Sequence, residues 1–324
     1  MVMDDYSELR QRFPEINDEM ISWESSPVGA TAAVSRQHHW RQYTERNGLQ
    51  PVEFLLPRLP CDCPAEEPGF ILERAEGCGT YSREQVVNKV EQLQPWGFYF
   101  RLLDDITTEP PDEWPPPNTQ ARVTRNRTVC RSHLITTSVA RLLGDRLSQT
   151  RVLDLGANSG FFSFDIAHRG AQHVTAVEMR DDNLARGEFL KQHYDFNNID
   201  FVKADVMHWQ PEQPVEVVFN LGLLYHVLDP VGLLQRTYDW CTDFAVVDTV
   251  CHRDPVSAFL PRFNKDPHQP GEGRYEIELH PTYRALVDTM HHVGFRNLVE
   301  LVAVSGRVSG LYRDSVRRCI IGFK

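Results

Sequence analysis

The stretch Val152-Leu153-Asp154-Leu155-Gly156-Ala157-Asn158-Ser159-Gly160 runs from an apolar segment into a glycine turn. An apolar segment of this length reads as a buried strand, and Phe161 onward reads as a helix. Glycine lets backbone approach a ligand where a side chain would collide. A loop at the carboxyl end of a central strand is where open α/β sheets bind ligands. The spacing is G-x-x-x-G, not the G-x-G-x-x-G of a dinucleotide turn that seats a pyrophosphate. Asp154, just ahead of the turn, suits a ligand that carries an amino group and a cation and has no phosphate. A turn of purely structural purpose is the competing reading.

Later carboxylates extend the pattern. Val174-Thr175-Ala176-Val177-Glu178 ends in an acid 18 residues after Gly160. A carboxylate at the tip of the second strand can accept both hydroxyls of a ribose, a role shared with nicotinamide-nucleotide folds. Asp205 follows a third strand, where it either contacts a base or caps a helix. The fourth strand runs into Asn220-Leu221-Gly222-Leu223-Leu224-Tyr225-His226. His226 stands where a substrate would meet the ligand, either as a proton acceptor or as a residue that packs the loop. Tyr225 and His252 are the other candidate catalytic residues.

These residues need a regular scaffold. Helices are expected over Ser132–Leu147, Phe161–Arg169, Asp181–Tyr194 and Tyr283–Val293, the last closed by Gly294. Strands are expected over Arg151–Leu155, Val174–Val177, Asp200–Val202, Val215–Leu221, Phe244–Val247, Leu298–Val304 and Arg318–Phe323. Strands alternating with helices imply a mostly parallel α/β sheet covered on both faces. The last two strands lack a clear helix between them and are expected to pair antiparallel.

The chain divides into an N-terminal accessory region (1–94), an aromatic and proline-rich lid or linker (95–131) and the core (132–324). Met20–Trp23 and Ser82–Leu93 read as helical, and the proline cluster over 110–117 as a semi-rigid link. The long segment Cys251–Pro281 reads as a functional loop. With Arg131, its residues Arg262, Phe263, Tyr275 and Glu276 are candidates for substrate binding, since arginine clamps carboxylates and phosphates. Self-satisfied surface groups are the alternative. Trp96 to Phe100 and this segment are expected to close together over the ligand.

The stretch from Arg151 to Pro230 resembles class I S-adenosylmethionine-dependent methyltransferases. Its Gly222-Leu223-Leu224-Tyr225-His226 segment is similar to the subgroup holding the tRNA wobble-uridine alkyltransferases and many small-metabolite methyltransferases. The resemblance implies a Rossmann-like sheet with an antiparallel last strand, and S-adenosylmethionine as cofactor. It implies that Asp154, Gly156, Asn158 and Gly160 shape the methionine end. Glu178 with Met179 would hold the ribose, Asp205 and Val206 the adenine, and Asn220 and Leu221 the methionine side. Trp96 and Tyr99 resemble a segment that closes over the cofactor. One departure stands out. Enzymes of the subgroup that use a carboxylated cofactor carry lysines ahead of the core, and no lysine lies between Lys89 and Lys191 here. The cations there are arginines, Arg122, Arg125, Arg127 and Arg131 among them, so ordinary S-adenosylmethionine is expected.

Composition narrows the partners. Net charge is -11, which opposes the basic footprint of a nucleic-acid binder, so a small-molecule substrate is expected ahead of RNA. A non-catalytic nucleoside-binding protein is a third reading, opposed by the complete motif set. No apolar run approaches the roughly 20 residues of a membrane span, and no export signal is legible, so a cytoplasmic protein is expected. A homodimer stays open. Seven cysteines without an export signal suggest free thiols. Cys61, Cys63 and Cys78 lack a matching fourth zinc ligand, and the pairs His38-His39 and His291-His292 point apart on a helix. No metal is expected.

Overall fold

A computed structural model describes residues 7–13, 56–63, 81–103, 105–108, 127–252, 254, 256–263, 273–306, 308–313 and 316–324. The readings placed on Met20–Trp23, His38-His39, Cys78, the proline cluster, Arg122 and Arg125 lie outside them.

Along the chain come α1 (Ser7–Arg12), β1 (Arg58–Cys63), α2 (Arg83–Gln92) and the short pair β2 (Arg101–Leu103) and β3 (Ile106–Thr107). A helical run over 127–143, α3, contains a π-helical segment, His133–Thr137. The core continues with β4 (Arg151–Leu155), α4 (Phe161–His168), β5 (His173–Glu178), α5 (Asp181–Tyr194), β6 (Ile199–Lys203) and β7 (Val215–Leu221). Then follow α6 (Pro230–Trp240), β8 (Cys241–Val250), β9 (Phe259–Phe263), β10 (Ile277–Pro281), α7 (Tyr283–Val293), β11 (Asn297–Gly306), α8 (Gly310–Arg313) and β12 (Arg317–Phe323).

Eight strands form one sheet in the order β1-β11-β12-β8-β7-β4-β5-β6. β12 runs antiparallel to both its neighbours, and the other pairings are parallel. The sheet is therefore the mostly parallel Rossmann-like one expected, with its antiparallel last strand. Strand geometry sends alternate side chains to opposite faces. In β8, Phe244 and Val246 join the core under α3, α4 and α5, while Ala245 and Val247 join the core under α6 and α7. Burial on both faces is why these strands are continuous apolar runs.

Three expectations change. β1 comes from the region read as accessory, yet it pairs with β11 at the edge of the main sheet. Its two cysteines alternate with Pro60 and Asp62, so they sit on a strand and not in a loop. α6 went unread, although Asp229 caps it by accepting the Gly232 N–H at 2.8 Å and Pro230 opens it. The segment Cys251–Pro281 is partly a ribbon, β9 paired antiparallel with β10. α7 starts on the Thr282 cap and ends at Gly294, as its sequence indicates.

Candidate functional site

A cavity of about 890 Å³ opens at the carboxyl ends of β4, β5 and β7. Its floor is the turn after β4. Gly156, with φ +66°, lies so close to Leu223 that a Cβ would come within 2.9 Å of that side chain. Gly160, with φ +84°, caps the start of α4, and a Cβ there would strike the Phe201 ring at 2.6 Å. Both positions therefore require glycine.

Asp154 is buried at the cavity wall, and its Oδ2 accepts the Ser163 hydroxyl at 2.7 Å. Burial pushes its pKa up to about 6, against the hydrogen bond from Ser163. The neighbouring carboxylate, Glu178, knits two loops. Its Oε2 accepts the Asn158 N–H, and its Oε1 accepts those of Met179 and Arg180, all at 2.8 Å. Burial raises its pKa, opposed by these amides. Asp205 accepts the Met207 N–H at 2.9 Å, the turn-capping role, while still lining the cavity.

The opposite end of the cavity is cationic. Asp248, fully buried on β8, receives Arg131 Nη2 at 2.8 Å and Arg317 Nε at 2.9 Å. The Tyr312 hydroxyl donates to its other oxygen at 2.5 Å. Burial works against the Asp248 charge, but Arg317 and Arg131 outweigh it and hold its pKa below the usual range. Arg127, one helical turn from Arg131 on α3, also lines the cavity. Among the described residues it has no ion-pair partner, and its Nε is buried without a hydrogen-bond partner. Burial, and next the like charges of Arg131 and Arg317, pull its pKa down. Gly222 makes room for this crowding, since a Cβ there would lie 3.0 Å from Arg317 Nη2.

Between the two ends, His226 Nδ1 lies 2.7 Å from Glu278 Oε1, and His280 Nε2 lies 2.8 Å from Glu278 Oε2. Burial opposes the Glu278 charge, yet the two histidines hold its pKa down at about 2. Tyr225 stacks at a tilt on His226, with centroids 4.1 Å apart, and its hydroxyl is 3.5 Å from Arg317 Nη1.

Residues 147–253 match the family model described as "Methyltransferase domain". This segment of the chain thus resembles a methyltransferase domain, and it holds β4 to β8 with the glycine turn. Relatives of this chain include the tRNA U34 carboxymethyltransferase of Alteromonas mediterranea, 33% identical over 98 residues. That match covers 29% of this chain and only 30% of the relative. The enzyme of the same name from Glaesserella parasuis is 23% identical over 267 residues, covering 80% of this chain and 75% of its own. The N-terminal domain of EvdMO1, solved in the presence of SAH and D-fucose, superposes with a TM-score of 0.55 at 18% identity. It covers 75% of this chain and 97% of that domain, which establishes the shared fold.

The cavity gathers Asp154, Gly156, Asn158, Glu178, Met179, Asp205, Val206 and Leu221 of the expected cofactor residues, with Trp96 at the rim. It also gathers Tyr225, His226, Arg131 and Tyr275. Other expected residues do not line it. Gly160 supports the turn from behind. Asn220 is buried, with Nδ2 3.2 Å from the Thr237 hydroxyl. Tyr99 is 7% exposed and does not reach the cavity. His252 packs by the ribbon, where Arg262 Nε lies 3.4 Å from its Nε2. Phe263 is 80% exposed near the ribbon tip, and Glu276 is exposed beside it. Phe98 stacks on Phe161 at 5.3 Å, and Trp96 packs on Phe100 and Phe189. Arg317 and Asp248 went unread because nothing local to either marks it. Glu278 and His280 showed only as polar residues of a long loop; their period-2 spacing on β10 was the available signal.

Among the described residues, no group of three or more His, Cys, Asp or Glu is arranged to hold a metal ion. No described helix is long and apolar enough to cross a membrane.

Proposed function

We propose that this chain methylates a small acceptor bearing an acidic group, in the cytoplasm, with S-adenosylmethionine as donor. The cofactor supplies, when bound, an electrophilic methyl group on a sulfonium. Asp154 has a carboxyl oxygen left over from Ser163 for the amino group of the methionine moiety. Glu178 lines the cavity beside the turn that it holds, and a carboxylate there suits ribose hydroxyls. Met179, Asp205 and Val206 would flank the adenine, and Leu221 the methionine side.

The arginine cluster carries the reading of the acceptor. Arg131 and Arg317 share the single negative charge of Asp248, which leaves one positive charge over. Arg127 adds a second, with no carboxylate paired to it among the described residues. In a partly buried cavity such a surplus strongly favours an anion, and guanidinium forks fit a carboxylate or phosphate. His226 faces the same space. Its Nδ1 side is held by Glu278, so Nε2 is the nitrogen that would take a proton from a hydroxyl or amine acceptor. The rest of the rate would come from holding acceptor and methyl group in line.

A second reading, alkylation of a tRNA wobble uridine, draws on the names of the curated relatives. The net charge of -11 and the absence of lysine between Lys89 and Lys191 weigh against it. The test is label transfer from methyl-labelled S-adenosylmethionine to two pools, acidic metabolites and tRNA. Label in the acidic small-molecule fraction is expected, with Arg127→Ala raising KM about tenfold or more, the loss of roughly 1.4 kcal/mol of binding. Label found only in tRNA overturns the first reading in favour of the second.

A further inference from the structure

We infer that Cys63 and Cys130 form a reversible disulfide that couples the thiol–disulfide balance of the surroundings to the cavity's arginine cluster. Cys61 and Cys63 are two apart on β1 and so project to one face of the strand. That face meets α3. Cys63 Sγ lies 3.8 Å from Cys130 Sγ, and Cys61 Sγ donates to the His133 carbonyl oxygen at 3.1 Å. A disulfide needs sulfurs at about 2.05 Å, so closure is a movement of about 2 Å between groups already in contact. Cys130 and Cys63 are 0% and 1% exposed, and Cys61 is 8% exposed, which makes Cys61 the way in from solvent. The Cys63 thiol beside it also holds the Cys61 pKa below the ordinary range. Burial pushes Cys241 and Cys251 up to about 12.

The chemistry is thiol–disulfide exchange with a low-molecular-weight disulfide. The Cys61 thiolate attacks it, one thiol leaves, and Cys61 is held as a mixed disulfide. Cys63, whose pKa its neighbours Cys130 and Cys61 raise, then attacks Cys61 Sγ as its proton passes to the second small thiolate leaving it. Attack of the Cys130 thiolate on Cys63 Sγ moves the bond to Cys63–Cys130 and returns Cys61 as a thiol. Overall, two protein thiols are oxidised by two electrons, the small disulfide is reduced to two thiols, and the protons end on those thiols.

Two connections carry the change to the cavity. Cys130 adjoins Arg131, and Arg127 is one turn away on the same helix. Cys130 Sγ also accepts the Ser309 N–H at 3.4 Å, and Ser309 leads into α8, where Tyr312 donates to Asp248. Drawing Cys130 toward β1 therefore shifts both an arginine that Asp248 binds and the helix that supplies its tyrosine.

The test uses the full chain, folded, with excess oxidised glutathione, followed by alkylation, digestion and mass spectrometry. A linked pair of peptides containing Cys63 and Cys130 is expected in most molecules, and dithiothreitol should remove it. Hydrogen exchange should change over 127–143 and 309–317, and not at β5 or β6. Cys61→Ser should slow the linkage several-fold, and either Cys63→Ser or Cys130→Ala should abolish it. The inference is overturned if all thiols stay free in the folded chain while a guanidinium-unfolded control oxidises. It is also overturned if the link joins Cys78 or a second molecule, or if the chain holds a stoichiometric metal ion on these thiols.

Discussion

The Glu178 carboxylate accepts the backbone N–H of Asn158 at 2.8 Å, so the end of β5 fixes the turn that follows β4. One side chain thereby sets the shape of the cofactor turn and lines the cavity beside it. Removing it costs on both accounts. Glu178→Ala should weaken S-adenosylmethionine binding by about 1–3 kcal/mol, the penalty for leaving buried donors unpaired. Calorimetry checks this, and an unchanged affinity would take Glu178 out of the site.

Asp154 makes cofactor binding depend on pH. Its folded pKa of about 6 lies above its ordinary value, so the free protein holds this proton more tightly than the unfolded chain does. The free protein should gain stability from this group as pH falls from about 6 toward 4, and lose it as pH rises through 6. A cationic ligand favours the ionised form, so affinity should fall as pH drops through about 6. Asp154→Asn should flatten that dependence in titrations run from pH 5 to 8.

Glu278 behaves in the opposite sense. Its folded pKa of about 2 lies below the ordinary carboxylate value. Its contribution to stability is present above that ordinary value, near 4.3, and is lost as pH falls toward 2. Glu278→Gln should remove stability measured at neutral pH and shrink the loss seen in acid. If His226 accepts the proton during transfer, His226→Ala should lower turnover by about 10²–10⁴-fold with cofactor affinity within about two-fold of wild type. Turnover unchanged in that variant would leave His226 a packing residue.

Gly160→Ala should destabilise the chain. The new methyl group would meet the Phe201 and Phe164 rings at a backbone angle unfavourable to it. Overpacking of this kind costs about 1–3 kcal/mol, readable from urea unfolding.

Three aromatics separate packed rings from exposed ones. Phe263→Ala should change stability by no more than about 0.5 kcal/mol, because the ring is solvent-exposed. Tyr99→Ala and Phe98→Ala should each cost several times that, with losses approaching about 3 kcal/mol for a ring packed in a core. A Tyr99→Ala chain with an unaltered melting temperature would return that segment to the role of a lid.

The half of the cavity built on the ends of β4, β5 and β7 was legible in the sequence, because it is made of contiguous pieces. The turn from Asp154 to Gly160, the acid at the tip of β5 and the residues ending β7 each follow a strand, and strands announce themselves by apolar runs. A parallel sheet then brings their carboxyl ends to one edge wherever the helices fall. The half that faces the acceptor was not legible. It depends on β12 entering between β8 and β11, where Cys319 pairs with Asp248 and Arg317 with Val250. Only that register places Arg317 against the carboxylate that Arg131 reaches from α3. Glu278 likewise meets His226 only because β9 and β10 fold back as a ribbon. Such contacts depend on the pairing of distant segments, which local periodicity does not encode. The sequence thus determined the fold class and the glycine turn after β4, and the tertiary structure decided where the surplus positive charge and the histidine–glutamate pair would stand.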